Sequence, residues 1–183
     1  MTLYINSCVR ENSRTDKIAK ALLKKLGNYT EVRLNDEKIC PMTTDVLEKR
    51  NQFIQNSDYS DPMFRYAKQF ANADIIVISA PYWDLSFPAN LKAYIENVCV
   101  MGIASRYDEN GVTHGLCKAK KLYYVTTSGG AYIPDYSYNQ IKALAKQYFG
   151  IPETILIKGE FLDIAGNNPQ KIVEKIISEI LNN

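Results

Sequence analysis

The sequence has few of the residues that build metal sites and disulfide scaffolds. Its 183 residues contain one histidine, His114, and four cysteines. No two cysteines form a C-x-x-C pair, and one histidine supplies too few ligands for a typical structural zinc site. Four thiols in a chain of this length do not make a disulfide-rich secreted scaffold. We therefore expect a cytoplasmic protein with no bound metal, in which Cys40, Cys99 and Cys117 are small packing residues.

The chain also lacks a long hydrophobic run and a strong charge of either sign. Its longest uncharged stretch, residues 122–134, contains Thr-Thr-Ser-Gly-Gly, whereas a membrane-spanning helix needs about 20 apolar residues. The first nine residues include no basic leader, so we expect no secretory signal. Lysine and arginine number 22 against 20 aspartate and glutamate residues. This balance speaks against a protein that binds nucleic acid or an anionic membrane over a wide surface.

What is present is typical of a globular enzyme or binding domain. Apolar residues make up 46% and charged residues 23% of the chain, which excludes disorder and collagen-like repeats. A length near one typical domain predicts a single domain over residues 1–183.

Apolar strand patterns alternate with helical patterns along the chain. The predicted strands are 3–6, 30–34, 74–80, 122–126 and 154–158, and helical periodicity or helix-start signals lie between and after them. Ile18 and Leu22 recur at helical spacing in the first helix, Pro88 is predicted to open a helix, and another helix is predicted over about residues 138–149. Residues 106–117 are predicted to form an irregular excursion or a small hairpin. The β-branched run at residues 75–78 is typical of a strand buried on both faces. We predict an α/β fold with a flavodoxin-like, doubly wound, five-stranded parallel sheet of order 2-1-3-4-5 and helices on both faces.

In such a sheet the ligand lies beyond the carboxyl ends of the strands, where the strand order reverses. This rule selects three loops: a first loop at residues 7–15, a second loop at residues 81–87 and a third loop at residues 127–132. We keep these names below.

The first loop runs into the start of a helix and offers Ser7, Ser13, Arg14 and Thr15. Unpaired amides at a helix N-terminus favour an anion, and hydroxyl and guanidinium groups add donors, so a phosphate is the expected guest. A simple helix cap by Ser13 explains part of the same pattern equally well. Neither G-x-G-x-x-G nor G-x-x-x-x-G-K-[ST] occurs, which excludes a dinucleotide fingerprint and an NTPase loop.

The second and third loops have the composition expected of a flat-ring site. The second loop brings three aromatic side chains to the sheet edge, and we expect Tyr82 and Trp83 to face the ligand but Phe87 to pack in the core. The third loop has paired glycines whose amides can donate to a ligand. Together the three loops predict a site for flavin mononucleotide (FMN). The residues expected to line it are Ser7, Ser13, Arg14, Thr15, Pro81, Tyr82, Trp83, Asp84, Leu85, Thr127, Ser128, Gly129, Gly130 and Tyr132.

At these residues the chain resembles the FMN-dependent NADH azoreductases and quinone reductases of flavodoxin-like fold. The Ser-x5-Ser-x-Ser/Thr spacing of their phosphate loop matches Ser7, Ser13 and Thr15. Their Pro-x-x-Asn-Phe flavin loop corresponds to residues 81–85, and their Ser-x-Gly-Gly loop resembles residues 127–130. One departure concerns charge, because Asp84 stands where the family has asparagine. We expect the carboxylate of Asp84 to turn outward, since it would repel a reduced, anionic flavin.

The resemblance implies a two-step reaction in one pocket. Reduced nicotinamide, from NADH or NADPH, passes hydride to the flavin and leaves, and a quinone, azo compound or similar aromatic acceptor then takes the electrons. The flavin carries this chemistry, so no catalytic side chain is expected. The resemblance also implies a homodimer with the pocket open at the subunit interface.

Two alternatives remain open from the sequence. Cys8, Arg14 and Thr15 satisfy C-x5-R-[ST], the phosphate loop of low-molecular-weight tyrosine phosphatases, in which Cys8 would be a thiolate activated by the helix N-terminus. The Asp-Pro that supplies the acid of those enzymes in a late loop is missing. A flavodoxin-type electron carrier is the second alternative, although such carriers are commonly strongly acidic and this chain carries a net charge of +2.

Overall fold

The computed structural model describes residues 1–39 and 41–182. Within them, five strands form one parallel sheet and two short strands form a separate antiparallel hairpin. The strands are β1 (Thr2–Asn6), β2 (Tyr29–Arg33), β3 (Ile75–Ser79), β4 (Ser105–Tyr107), β5 (Thr113–Gly115), β6 (Lys121–Thr127) and β7 (Glu153–Gly159).

The sheet order is β2-β1-β3-β6-β7, which confirms the predicted doubly wound topology. Asn6 pairs with Ser79, and Ser79 pairs with Val125, so the carboxyl ends of the central strands meet at one edge. All of β1 is buried, as is β3 apart from its first residue. The continuous β-branched run at residues 75–78 was therefore interpreted correctly, because helices cover both faces of the sheet.

The helices follow the strands in the predicted alternation. In the described residues they are α1 (Arg14–Leu26), α2 (Thr44–Gln55), α3 (Arg65–Asn72), α4 (Ala89–Val98), α5 (Tyr138–Leu144) and α6 (Pro169–Asn182), with a 3-10 turn at Pro62–Phe64 and a π-helical turn at Ala145–Phe149. The helix predicted over residues 138–149 is thus α-helical only in its first half. Pro88, predicted to open a helix, instead precedes α4 as its N-cap residue.

Two apolar cores lie on opposite faces of the sheet. On one face, α1 and α6 pack Ile18, Leu22 and Val173 against the sheet. On the other face, α3, α4 and α5 contribute Phe70, Leu91 and other buried side chains. Phe87 belongs to this second core, as expected from the sequence. Both cores leave the carboxyl edge of the sheet to the loops.

The β4–β5 hairpin fills the irregular stretch predicted between α4 and β6. It packs on the π-helical turn so closely that a Cβ at Gly115 would lie 2.0 Å from the amide nitrogen of Gly150. Only glycine fits there. The packing role predicted for Cys99 and Cys117 agrees with their partial and full burial, whereas Cys40 lies outside the described residues. No helix in the described part of the chain is both long and apolar enough to cross a membrane.

Candidate functional site

A cavity of about 450 Å³ opens at the carboxyl edge of the sheet. This volume lies within the range of about 300–1,000 Å³ that is common for small-molecule sites. All three predicted loops line the cavity, together with a fourth loop (residues 160–168) that follows β7. The lining residues are Arg10, Asn12, Ser13, Arg14, Thr15, Pro81, Tyr82, Trp83, Thr127, Ser128, Gly129, Leu162 and Asp163.

The first loop begins on a buried polar network beneath the cavity. The carboxylate of Asp16, in the first turn of α1, accepts hydrogen bonds from the Tyr4 hydroxyl at 2.6 Å and from the Asn6 amide at 3.1 Å. The side-chain oxygen of Asn6 in turn accepts the backbone N–H of Cys8 at 3.0 Å. Burial, with the Asp16 carboxylate beside it, raises the pKa of Tyr4 far above its usual range. The start of this loop is therefore fixed by side chains that are themselves buried.

The same loop presents a run of backbone donors. From Val9 to Thr15, no amide donates a hydrogen bond to any group in the described residues. Ser13 caps α1, because its hydroxyl accepts the N–H of Asp16 at 3.4 Å. The Thr15 hydroxyl lies 2.6 Å from that of Thr127, which ties the first loop to the third. Unpaired amides at a helix N-terminus form a site suited to an anion.

The second loop is a tight, exposed turn. Trp83 and Ser86 exchange backbone hydrogen bonds of 3.1 and 2.7 Å, and the two residues between them adopt positive φ angles, 50° for Asp84 and 64° for Leu85. Residues other than glycine, asparagine and aspartate rarely adopt this conformation, so the strain falls mainly on Leu85. The amides of Asp84 and Leu85 have no acceptor among the described residues. The Ser86 hydroxyl donates to the carbonyl of Tyr136 at 2.7 Å, which anchors the turn.

The third and fourth loops hold each other through their backbones. Asp163 and Leu162 donate to the carbonyls of Gly129 and Ser128 at 3.0 and 3.2 Å. The amides of Gly129 and Gly130 have no acceptor in the described chain, so both remain available as hydrogen-bond donors.

Tyr132 supports the aromatic wall of the cavity from behind. It is buried, its hydroxyl lies 2.8 Å from that of Ser137, and its ring meets the ring of Tyr82 edge-on at 4.8 Å between centroids. Its N–H donates to Glu160 at 2.9 Å, and Lys158 beside that carboxylate holds the pKa of Glu160 below its usual range. Tyr82 is thus oriented by a fixed neighbour.

Comparison with known proteins agrees with this geometry. The model of the family described as "Flavodoxin-like fold" matches residues 1–171. An FMN-dependent NADH:quinone oxidoreductase from Clostridium beijerinckii is 35% identical, over 97% of this chain and 94% of the relative, and one from Clostridium acetobutylicum is 34% identical over the same shares. The chain belongs to the FMN-dependent NADH:quinone oxidoreductase family of flavodoxin-like fold. The resemblance noted from its motifs is confirmed.

Solved structures confirm the fold of this family member. The FMN-dependent NADH-azoreductase from Bacillus anthracis, solved in complex with FMN, superposes with a TM-score of 0.80 at 22% identity, covering 99% of this chain and 95% of that one. A second azoreductase from Bacillus anthracis reaches 0.83 at 20% identity, covering 99% and 96%. At this identity the likeness concerns the fold alone.

Most of the predicted site residues meet at the cavity of this family member. Those that line it are Ser13, Arg14, Thr15, Pro81, Tyr82, Trp83, Thr127, Ser128 and Gly129. Those that do not are Ser7, Asp84, Leu85, Gly130 and Tyr132. Ser7 is fully buried and its hydroxyl has no partner among the described residues. The side chains of Asp84 and Leu85 are exposed beside the cavity, so only their backbone amides are available as donors to a ligand in it.

The sequence analysis missed the fourth loop. Leu162 and Asp163 line the cavity because their amides pair with carbonyls of the third loop. The rule that selected the other loops points to the strands where the order reverses, and β7 is an edge strand away from that point. Applying the rule to the carboxyl end of every strand would have included these residues.

The structure does not favour the phosphatase alternative, which requires a reactive Cys8 thiolate. The side chain of Cys8 is 1% exposed, and its thiol lies 3.5 Å from the Ser79 hydroxyl, below the loop. Desolvation raises the pKa of Cys8 above its ordinary value, whereas a nucleophilic cysteine needs a lowered pKa and an open approach. Arg14, the proposed phosphate ligand, forms an ion pair with Asp163.

Proposed function

We propose that this protein is an FMN-dependent NADH oxidoreductase that reduces quinones, azo compounds or similar aromatic acceptors. The observation that carries the proposal is that three groups able to bind a flavin line one cavity. A run of unpaired amides, an aromatic side chain and a glycine loop meet at the carboxyl edge of a doubly wound sheet. The relatives that share a third of the sequence are named for this activity.

The phosphate of FMN would bind at the first loop. The amides from Val9 to Thr15 offer donors, and the hydroxyls of Ser13 and Thr15 lie on the same cavity wall. The N-terminal end of α1 adds a favourable dipole for an anion. Arg10, which makes no ion pair in the described residues, supplies a positive charge beside this end. The residues present therefore fit the tail of this cofactor.

The ring system of FMN would lie against the second and third loops. Trp83 lines the cavity and is 39% exposed as a residue, which suits a partner that covers its ring by stacking. The unpaired amides of Asp84, Leu85, Gly129 and Gly130 are hydrogen-bond donors at the edge of the same space. Such donors stabilise negative charge that develops during a reaction.

When bound, FMN supplies the two-electron chemistry that links NADH to the acceptor. The chain's own residues would bind and orient the cofactor and shield it from solvent. The amide donors of the second and third loops are already in place before the reaction, because hydrogen bonds within the protein fix both turns. We propose no catalytic side chain.

The same proposal extends to assembly and location. We propose a single FMN-binding domain over residues 1–183 that works in the cytoplasm as a homodimer, without nucleic-acid or membrane partners. Exposed apolar side chains of Leu85, Tyr136, Phe161 and Ile164 lie on the second to fourth loops and their flanks. Such a patch at the sheet edge suits a second subunit or an aromatic acceptor. The thiols of Cys8, Cys99 and Cys117 are free, as a reducing compartment requires.

The test starts from the colour and the turnover of the purified protein. We expect a yellow preparation, or one that turns yellow with FMN, that oxidises NADH in the presence of a quinone and of an azo dye. NADPH measured in parallel gives the nicotinamide preference. Anaerobic NADH alone should bleach the flavin within the time of one turnover, which an electron carrier would not do. A preparation that shows no affinity for FMN by calorimetry would contradict the proposal.

A further inference from the structure

One ion pair in the cavity wall joins two loops that are distant in sequence. The guanidinium of Arg14, at the start of α1, donates to the carboxylate of Asp163, in the fourth loop, at 2.7 Å. Both residues line the cavity. Arg14 belongs to the loop in which the proposed function places a phosphate. Asp163 therefore puts a negative charge beside a site that is otherwise built for an anion.

The position of Asp163 is set by the fold. Its N–H donates to the carbonyl of Gly129 at 3.0 Å, and the preceding turn places Phe161 at a φ of 61°. The carbonyl of Phe161 accepts the Asn167 amide at 2.7 Å, which closes the turn. A Cβ at Gly129 would lie 2.6 Å from the Asp163 carboxylate. Glycine at that position thus makes room for the carboxylate of the fourth loop.

A bound phosphate and Asp163 would compete for the same cation. Of the arginines that line the cavity, Arg10 makes no ion pair in the described residues, whereas Arg14 is engaged. A phosphate that recruits Arg14 must displace or share the carboxylate, and two anions next to each other repel. Side-chain exposures of 42% for Arg14 and 67% for Asp163 mean that solvent screens both effects.

We propose that Asp163 is a specificity-determining residue that weakens binding of the flavin phosphate by holding Arg14. The inference rests on the proposed function. Asp163 lowers the affinity for a flavin with a phosphate tail and leaves the affinity for the same ring without that tail unchanged. The ratio of FMN affinity to riboflavin affinity is consequently smaller than it would be without the Asp163 carboxylate.

The experiment uses full-length protein freed of flavin, titrated with FMN and with riboflavin. Trp83 is the only tryptophan and lines the cavity, so quenching of its fluorescence reports binding of either flavin. Asp163→Asn should tighten FMN binding about two- to fivefold, the range expected for exposed charge pairs. Riboflavin binding should not change. The gain should shrink at high salt, because ions screen exposed charges.

Two further variants separate competition for Arg14 from other effects. Glu153→Gln is the matched control, since it removes one negative charge from an exposed ion pair with Lys121 at the opposite end of β7. It should alter neither affinity. In an Arg14→Gln background, Asp163→Asn should no longer tighten FMN binding.

The outcomes are distinct. Unchanged or weaker FMN binding by Asp163→Asn, or equal tightening of riboflavin binding, would overturn the inference. The proposed function would still stand in that case, provided that the wild type binds FMN. A wild type that binds neither flavin would remove the proposed function, and this inference with it.

Discussion

The first and second loops line the same cavity but are held in opposite ways. Beneath the first loop, Tyr4, Asn6 and Asp16 form a buried hydrogen-bonded network. In the second loop, the turn from Trp83 to Ser86 relies on two backbone hydrogen bonds and one contact of Ser86 with Tyr136. Its turn residues are exposed, and Leu85 has a positive φ angle that is unfavourable for leucine. The first-loop end of the cavity, where we propose that the phosphate binds, is thus built on the core. The second-loop end, where we propose that the flavin ring binds, is built on an exposed surface turn.

Because of this difference, we expect changes in the two loops to affect different properties, protein stability and ligand affinity. Changes beneath the first loop remove buried hydrogen bonds, which are costly to leave unmade. Changes in the second loop alter exposed groups that contribute little to the core. We therefore expect variants of the first region to lower the free energy of unfolding, and variants of the second to act on ligand affinity.

The largest effect is expected for Asp16→Ala. This change removes the buried carboxylate that accepts from the Tyr4 hydroxyl and the Asn6 amide, which keep only Ser79 at 2.8 Å and Glu31 at 2.9 Å as partners, at a cost of about 3 kcal/mol in the free energy of unfolding. Urea unfolding of the flavin-free protein measures it. Lys20→Met is the control, because Lys20 pairs with Asp16 from an exposed position and should cost about 1 kcal/mol or less. Equal losses in the two variants would remove the distinction drawn between the loops.

The next effect concerns the second loop. Trp83→Ala should weaken FMN binding about tenfold, because an aromatic stack contributes on the order of 1 kcal/mol beyond the buried area. The free energy of unfolding should change little, since Trp83 is an exposed residue. Quenching of the fluorescence of FMN itself follows binding in this variant. Trp83→Phe should keep most of the affinity, and a loss of stability as large as that of Asp16→Ala would contradict the comparison.

The contrast also explains which parts of the molecule could be predicted from sequence. The β-branched run at residues 75–78 and the spacing of Ile18 and Leu22 report burial directly, so the strands and the topology followed from them. Ser13 and Thr15 stand at a helix start, and their place at the cavity follows from that position.

Other features depend on contacts that leave no local pattern. The positive φ angle of Leu85 could not be predicted from the sequence, because leucine rarely adopts it. The place of Asp163 in the wall depends on backbone pairing across loops more than thirty residues apart. The burial of Ser7, predicted as a phosphate donor, could not be read from a serine in a polar stretch. The flavin contacts of all predicted site residues stay predictions.

A smaller effect is expected from relieving the backbone strain at Leu85 in the second loop. Leu85→Asn replaces a side chain that disfavours positive φ by one that tolerates it, and should raise the free energy of unfolding by about 0.5–1 kcal/mol. FMN affinity should stay within about twofold, because the amide keeps its place. Thermal unfolding and fluorescence titration measure the two quantities. Leu85→Ala removes the same exposed side chain without relieving the φ preference, so a gain of the same size there would show that strain is not the cause.

The smallest effect is expected for Cys8→Ser. The thiol is buried beneath the first loop and touches Ser79 but lines no part of the cavity, so NADH oxidation should change less than about twofold. Neither protein should hydrolyse an aryl phosphate.

The pH dependence of that pair isolates the thiol. Desolvation raises the pKa of Cys8 in the folded protein, so the folded state holds this proton more tightly than the unfolded chain, where a thiol titrates near pH 8.5. The contribution of this thiol to stability is complete below that pH and is lost as the pH rises toward the folded pKa. Wild-type protein should therefore lose stability relative to Cys8→Ser above about pH 8.5, as measured by urea unfolding at several pH values. The opposite slope would mean a stabilised thiolate at the cavity, and would return the first loop to the class of reactive phosphate-binding loops.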